Sequence, residues 1–216
     1  MTEQTMLYLS IACNLIILLA TVIIVVSYFF VPGKDGQKPP GVRKFRFFTT
    51  DSNLFSALAC GLALFYELKN FNMSYVVLPH WVILLKFFSA STVLITFLTV
   101  LFYLGPKDGY INQFGGTSFY THLAGPLLAI ATLLIFEKGD SISIEEAFVG
   151  LIPFVAYFWV YLRQVVLTAQ RDDDGSLIRG WEDFYGFNSG GKWIITTALM
   201  TPIILAIVFG LRALYN

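Results

Sequence analysis

The chain has 216 residues, 56% of them hydrophobic and 13% charged, with a mean hydropathy of +0.70, far more apolar than a soluble domain. Its formal net charge is zero and no basic run or tail stands out, which excludes an electrostatic case for nucleic acid. The composition predicts a single integral membrane domain over residues 1–216.

Crossing the hydrocarbon core takes about 20 helical residues. Six stretches qualify in chain order: Met6–Val31, Phe47–Leu68, Tyr75–Leu104, Thr117–Phe136, Ile144–Thr168 and Trp193–Tyr215. The expected fold is therefore all-α, a six-helix transmembrane bundle. The first stretch follows Glu3 without a preceding Lys or Arg and has no small-residue cleavage pattern, so it reads as a retained helix and not a signal peptide.

The basic residues set the expected orientation. Lys34, Lys38, Arg43, Lys44, Arg46, Lys107, Arg163, Arg171, Arg179 and Lys192 fall on one side, against Lys69, Lys138 and Arg212 on the other. The first group is expected to be cytoplasmic, which places both termini outside.

Polar side chains inside a transmembrane helix must be satisfied by protein or by a water-filled cavity. The second stretch opens on Phe45–Phe55, FRFFTTDSNLF, with two threonines, an aspartate, a serine and an asparagine. Thr49, Ser52, Asn53, Ser56 and Cys60 fall at steps of three and four and share a helix face. The fourth stretch carries a matching stripe of Ser118, Thr121, His122, Gly125, Ala129 and Thr132. Each stripe alone reads as close packing of small residues. Together, the assigned directions bring Thr49 and His122 to one depth near the cytoplasmic side.

Lys86 lies inside the third stretch and needs a counter-ion, for which Asp51 is the sequence's best offer. His80, beside Trp81, reads as part of an interfacial aromatic belt. On the fifth stretch Tyr157, Tyr161, Gln164 and Thr168 form a further stripe, while Arg163 either snorkels to the interface or holds an acidic ligand group. The connection that follows, rich in Asp and aromatics from Gln170 to Lys192, reads as a folded loop that anchors at the interface or closes over a lipid site.

Three motifs fail on inspection. Gly186 to Lys192 spells G-x-x-x-x-G-K, but Trp193 stands where a magnesium-binding Ser or Thr is needed. Asp172–Gly175 lacks the alternating ligands of a calcium loop. Two well-separated histidines and the embedded Cys13 and Cys60 do not make a zinc site. No metal and no cofactor is expected.

FFTTDSNL, followed by His122 and Pro126 in THLAGPLL, resembles the androgen-induced and androgen-dependent TFPI-regulating protein family in its bacterial branch. Human members of that family are multi-pass membrane proteins that hydrolyse fatty acid esters of hydroxy fatty acids with an intramembrane threonine and histidine. The histidine motif runs His-x-x-x-Pro here, one residue shorter than in the human members. The resemblance implies a lipid esterase of the bacterial inner membrane acting on a long-chain fatty acid ester, with Thr49 as nucleophile, Thr50 as fallback and His122 as base.

The residues themselves fit a hydroxyl nucleophile with an imidazole base. Asn53, Ser52 and Tyr161 are candidate oxyanion donors, and Arg163 or Arg46 a candidate cation for a substrate carboxylate. The competing reading is a non-catalytic transporter or lipid-binding protein with a polar site around Lys86, Asp51 and His122.

Overall fold

The computed structural model describes residues 1–32, 37–73 and 75–216; Lys34, counted above among the basic residues, lies outside them. Six long helices account for most of the described chain: α1 (Glu3–Phe30), α2 (Phe48–Lys69), α3 (His80–Asp108), α4 (Thr117–Phe136), α5 (Ile144–Leu167) and α6 (Trp193–Tyr215). Five of these are long and apolar enough to cross a membrane, and α2 is not among them. With 22 residues α2 has the length, about 33 Å at 1.5 Å per residue; its polar residues set it apart.

Those polar residues point inward. Thr50, Ser52, Asn53, Ser56, Cys60 and Glu67 are buried, while Leu58, Phe65 and Leu68 are exposed. The same inversion marks the whole surface, where Ile16, Leu19, Ile23, Phe102 and Ile203 stand exposed. Apolar outside and polar inside is the arrangement of a helix bundle solvated by lipid, since hydrocarbon satisfies no hydrogen bonds. The chain is a multi-pass membrane protein by the length and composition of its helices.

The sequence puts the start of α3 at Tyr75, whereas the helix begins at His80. Pro79 explains the difference: its ring disfavours helical backbone at Leu78, and Pro79 itself is extended, with ψ 143°. α5 is interrupted at Gly150–Leu151 before Pro153 resumes it. Its start is secured by a capping box in which Ser143 Oγ accepts from the Glu146 amide at 3.1 Å and Glu146 accepts from the Ser143 amide at 2.8 Å.

Two π-helical turns have a cause legible in the chain. Val100–Leu104 precedes Gly105–Pro106 and Tyr120–Ala124 precedes Gly125–Pro126. A proline brings no N–H for the carbonyl four residues back and crowds it, so the preceding turn widens. In the second case that carbonyl belongs to His122.

Contacts sort the bundle into two ends. At one, near both termini of the chain, Ile83, Phe87, Leu133, Ile142, Leu211 and Tyr215 form an apolar core, and Asn216 is tied to Ile142. At the other, Tyr161, Leu162, Val165 and Phe187 form a second core beneath the connection between α5 and α6, which includes a short hairpin of β1 (Gln170–Arg171) and β2 (Leu177–Arg179). Arg43, Lys44, Arg46 and Lys107 lie in or beside the connections at this second, basic end.

Candidate functional site

At the basic end, α2 and α4 are stitched together by one amide. Asn53 Nδ2 donates to the Thr49 carbonyl at 2.8 Å and to the Thr121 carbonyl at 2.9 Å, so those carbonyls lie within two hydrogen-bond lengths of each other. Residues 49 and 121–122 therefore share a level in the bundle, as the sequence implied.

His122 sits in the widened turn of α4. Its Nδ1 lies 2.6 Å from the Gln113 carbonyl. A carbonyl can only accept, so Nδ1 carries the hydrogen and Nε2 of the neutral ring keeps its lone pair. Thr49 is half-buried with its hydroxyl beside the Tyr185 phenol. Among the described residues, the Thr49 hydroxyl and the His122 ring make no hydrogen bond to each other. Thr50 is 5% exposed and turns toward Tyr28 on α1.

The remaining candidates divide. Ser52 bonds Thr96 on α3 at 2.9 Å, and Asn53 has both N–H donors engaged, so neither offers a free donor to an oxyanion. Tyr161 donates to Asp183 at 2.8 Å and accepts from the Tyr185 amide; it fastens the loop and is not open to a substrate. Arg163 is exposed and makes no side-chain hydrogen bond among the described residues, as expected of a snorkelling cation. The Lys44 ammonium lies over the Tyr28 and Phe47 rings at 5.6 and 5.7 Å.

The aromatic connection closes over this end. Tyr185 accepts a 3.0 Å hydrogen bond from the Phe48 amide at the start of α2, one of the donors a helix N-terminus leaves free. Burial pushes the Tyr185 phenol up to about 12, so it stays neutral at physiological pH. Gly180, at φ +90°, lets the chain pass against the Gln164 carbonyl, where a Cβ would collide. Asp183 holds the turn by accepting from the Phe187 and Asn188 amides, each at 2.8 Å, and from Tyr161.

Asp183 was invisible to sequence reasoning, being one of several acids in a polar loop. Asp183→Ala leaves all three donors without their acceptor, and each buried donor left unpaired costs about 1–3 kcal/mol. The expected outcome is a loosened loop, read as faster limited proteolysis between residues 170 and 192 with α1 to α4 still protected.

The second polar centre lies at the termini end and corrects two expectations. Lys86 pairs with Glu137 at 3.2 Å, not with Asp51, because α3 starts at His80 and Lys86 is only six residues into it, about 9 Å. Lys86 also donates to Asn14 Oδ1 at 2.6 Å and to Cys60 Sγ at 3.1 Å. Asp51 instead lines a cleft of about 190 Å³ with Phe48, Ser52, Phe55, Thr92 and Pro153. Lys86, Asp51 and His122 thus do not form one polar site. Near the same end His80 is tied to Glu146 at 2.7 Å, a role beyond the aromatic belt.

Ser10, Asn14, Glu67 and Glu137 complete this cluster, and the sequence reading missed all four. Signals existed: Ser10 and Asn14 are four apart in an apolar helix, and Glu67 continues the Ser56, Cys60, Ala63 face of α2. Among the described residues no group of three or more His, Cys, Asp or Glu is arranged to hold a metal ion. No family model, curated protein or solved structure matches the chain.

Proposed function

We propose that the chain is an integral membrane lipid esterase of the bacterial inner membrane, cleaving a long-chain fatty acid ester with Thr49 as nucleophile and His122 as base. In this reading all six helices span, the basic end is cytoplasmic and both termini are outside. The observation that carries it is the His122 ring, locked through Nδ1 on the Gln113 carbonyl with no partner on Nε2 among the described residues, in a turn whose backbone lies level with Thr49.

The Thr49 hydroxyl attacks the acyl carbonyl while Nε2 takes its proton. The alcohol leaves with that proton, and an acyl-threonine ester remains. Water then attacks this ester, losing a proton to Nε2; the fatty acid departs and Thr49 regains its hydrogen. Attack requires the hydroxyl to turn about its Cα–Cβ bond from Tyr185 toward His122, a tightening that substrate commonly brings. Lys44 is the cation placed to hold a substrate carboxylate, and the loop bearing Tyr185 is the element that shields the acyl-enzyme from bulk water.

A fluorophosphonate probe tests the assignment. Wild-type protein in detergent or nanodiscs should be labelled on Thr49, Thr50→Ala should retain labelling, and Thr49→Ala should lose it while eluting and melting like wild type. Labelling that persists in Thr49→Ala, or none in the wild type, would sink the reading.

A further inference from the structure

The cluster at the termini end is short of one hydrogen. Glu67, Lys86 and Glu137 are each 0–1% exposed, so two carboxylates face one ammonium with water excluded. If all three were ionised the cluster would hold a net negative charge, which a low-dielectric interior strongly disfavours.

Counting donors locates the missing hydrogen. Lys86 donates to Asn14 Oδ1 and Cys60 Sγ and stands 3.2 Å from Glu137 Oε2 as an ion pair, with no hydrogen bond to Glu67. Asn14 spends its two on Glu67 Oε2 at 3.1 Å and Glu137 Oε1 at 2.7 Å. Ser10 Oγ lies against both Glu67 Oε1 and, at 3.3 Å, Glu137 Oε1. A hydroxyl has one hydrogen and two acceptor lone pairs, so it cannot donate to both. Every contact is satisfied if Glu67 Oε1 carries a proton and donates to Ser10 Oγ, while Ser10 donates to Glu137 Oε1.

We propose that this cluster is a proton-binding site, with one exchangeable proton held between Glu67 and Glu137 and relayed through the Ser10 hydroxyl. Transfer is balanced: Glu67 Oε1 gives its proton to Ser10 Oγ as Ser10 gives its own to Glu137 Oε1. Glu137 is the outlet, since it also lines a cavity of about 200 Å³ with Tyr75, Leu78, Lys138, Gly139 and Asp140 at the termini end. Among the described residues Glu137 Oε2 makes no hydrogen bond besides its ion pair, leaving one carboxylate oxygen with an unused lone pair for the incoming proton.

The titratable groups around the pair are Cys60 on α2, Lys86 on α3 and Tyr215 on α6, whose hydroxyl bonds the Glu137 carbonyl at 3.3 Å. At the cavity mouth stand Lys138 and Asp140, with His80 4.0 Å from the latter. α1 contributes Ser10 and Asn14 to the contacts but no charge. Lys86, paired with Glu137 and making no ion pair with Glu67, is therefore the one cation of the cluster among the described residues, and ionisable groups buried in this way are the material of proton relays in membranes.

Infrared spectroscopy of the full-length protein in nanodiscs tests this. The wild type at neutral pH should show the carbonyl stretch of a protonated carboxylic acid that shifts in D2O and moves when glutamate is ¹³C-labelled. Glu67→Gln should lose the band yet fold normally, since the amide N–H replaces the proton as donor to Ser10. Ser10→Ala should keep the band and slow its deuterium exchange. No glutamate-derived band in the labelled wild type overturns the proposal whether or not any variant folds. So does a band indifferent to Glu67→Gln, or exchange unaffected by Ser10→Ala. A wild type that melts higher with sodium at fixed pH and shows no band assigns the missing charge to a metal cation and likewise overturns it.

Discussion

Lys86→Met is expected to cost the folded protein about 3–5 kcal/mol, the range found when one partner of a buried ion pair is removed. The ammonium is 1% exposed and ties three helices together through Asn14, Cys60 and Glu137. Methionine fills much of the same volume and supplies no charge, so the loss is electrostatic and not a cavity. What remains is a buried Glu137 carboxylate with Asn14 and Ser10 as its donors and no cation beside it.

Adding Glu137→Gln should restore much of the stability, because the cluster is then neutral with Glu67 protonated. Thermal melting or urea titration of the two singles and the double measures the coupling. A double variant whose loss equals the sum of the singles would show that the pair does not hold the helices. A single with unchanged stability would show that Lys86 is not needed inside.

Much of the bundle was legible because lipid imposes a simple rule: long apolar runs must be helices, and polar faces must point inward. α4 and α6 begin and end where periodicity and composition put them. The error at α3 came from reading hydropathy across Leu78–Pro79, where backbone sterics override it. The partnership of Lys86 was misjudged for a different reason. Asp51 is the acid deepest in an apolar stretch, while Glu67 and Glu137 stand at helix ends and look like interfacial charges. Only the packing of α1, α2, α3 and α4 shows that those ends converge behind Ser10 and Asn14.

The basic end was legible in a more limited way. The assigned helix directions gave the level of Thr49 and His122, while the widened turn where His122 sits was not foreseen. Spacing does not report what a side chain bonds to. The Gln113 carbonyl that fixes the ring comes from a short helix before α4, Tyr110–Gln113, and Tyr185 and Asp183 come from a loop that turns back on α2. These are long-range placements with no local signature.

The largest expected loss of activity follows from that ring. If Nε2 of His122 accepts the proton of Thr49 during attack, His122→Ala should lower kcat for long-chain ester hydrolysis by about 10²–10⁴-fold, the usual contribution of a general base. KM should change little, because the base acts in the transition state and contributes little to ground-state binding. Exogenous imidazole should recover part of the rate in His122→Ala, entering the space left by the ring, and none in Thr49→Ala, which lacks the attacking oxygen. Asn53→Ala should fall between wild type and His122→Ala: it removes the amide that holds the Thr49 and Thr121 carbonyls together but leaves both reacting groups. Equal kcat in wild type and folded His122→Ala, or imidazole rescue of Thr49→Ala as well, would separate the histidine from the chemistry and leave its Gln113 hydrogen bond as a purely structural clasp between two segments.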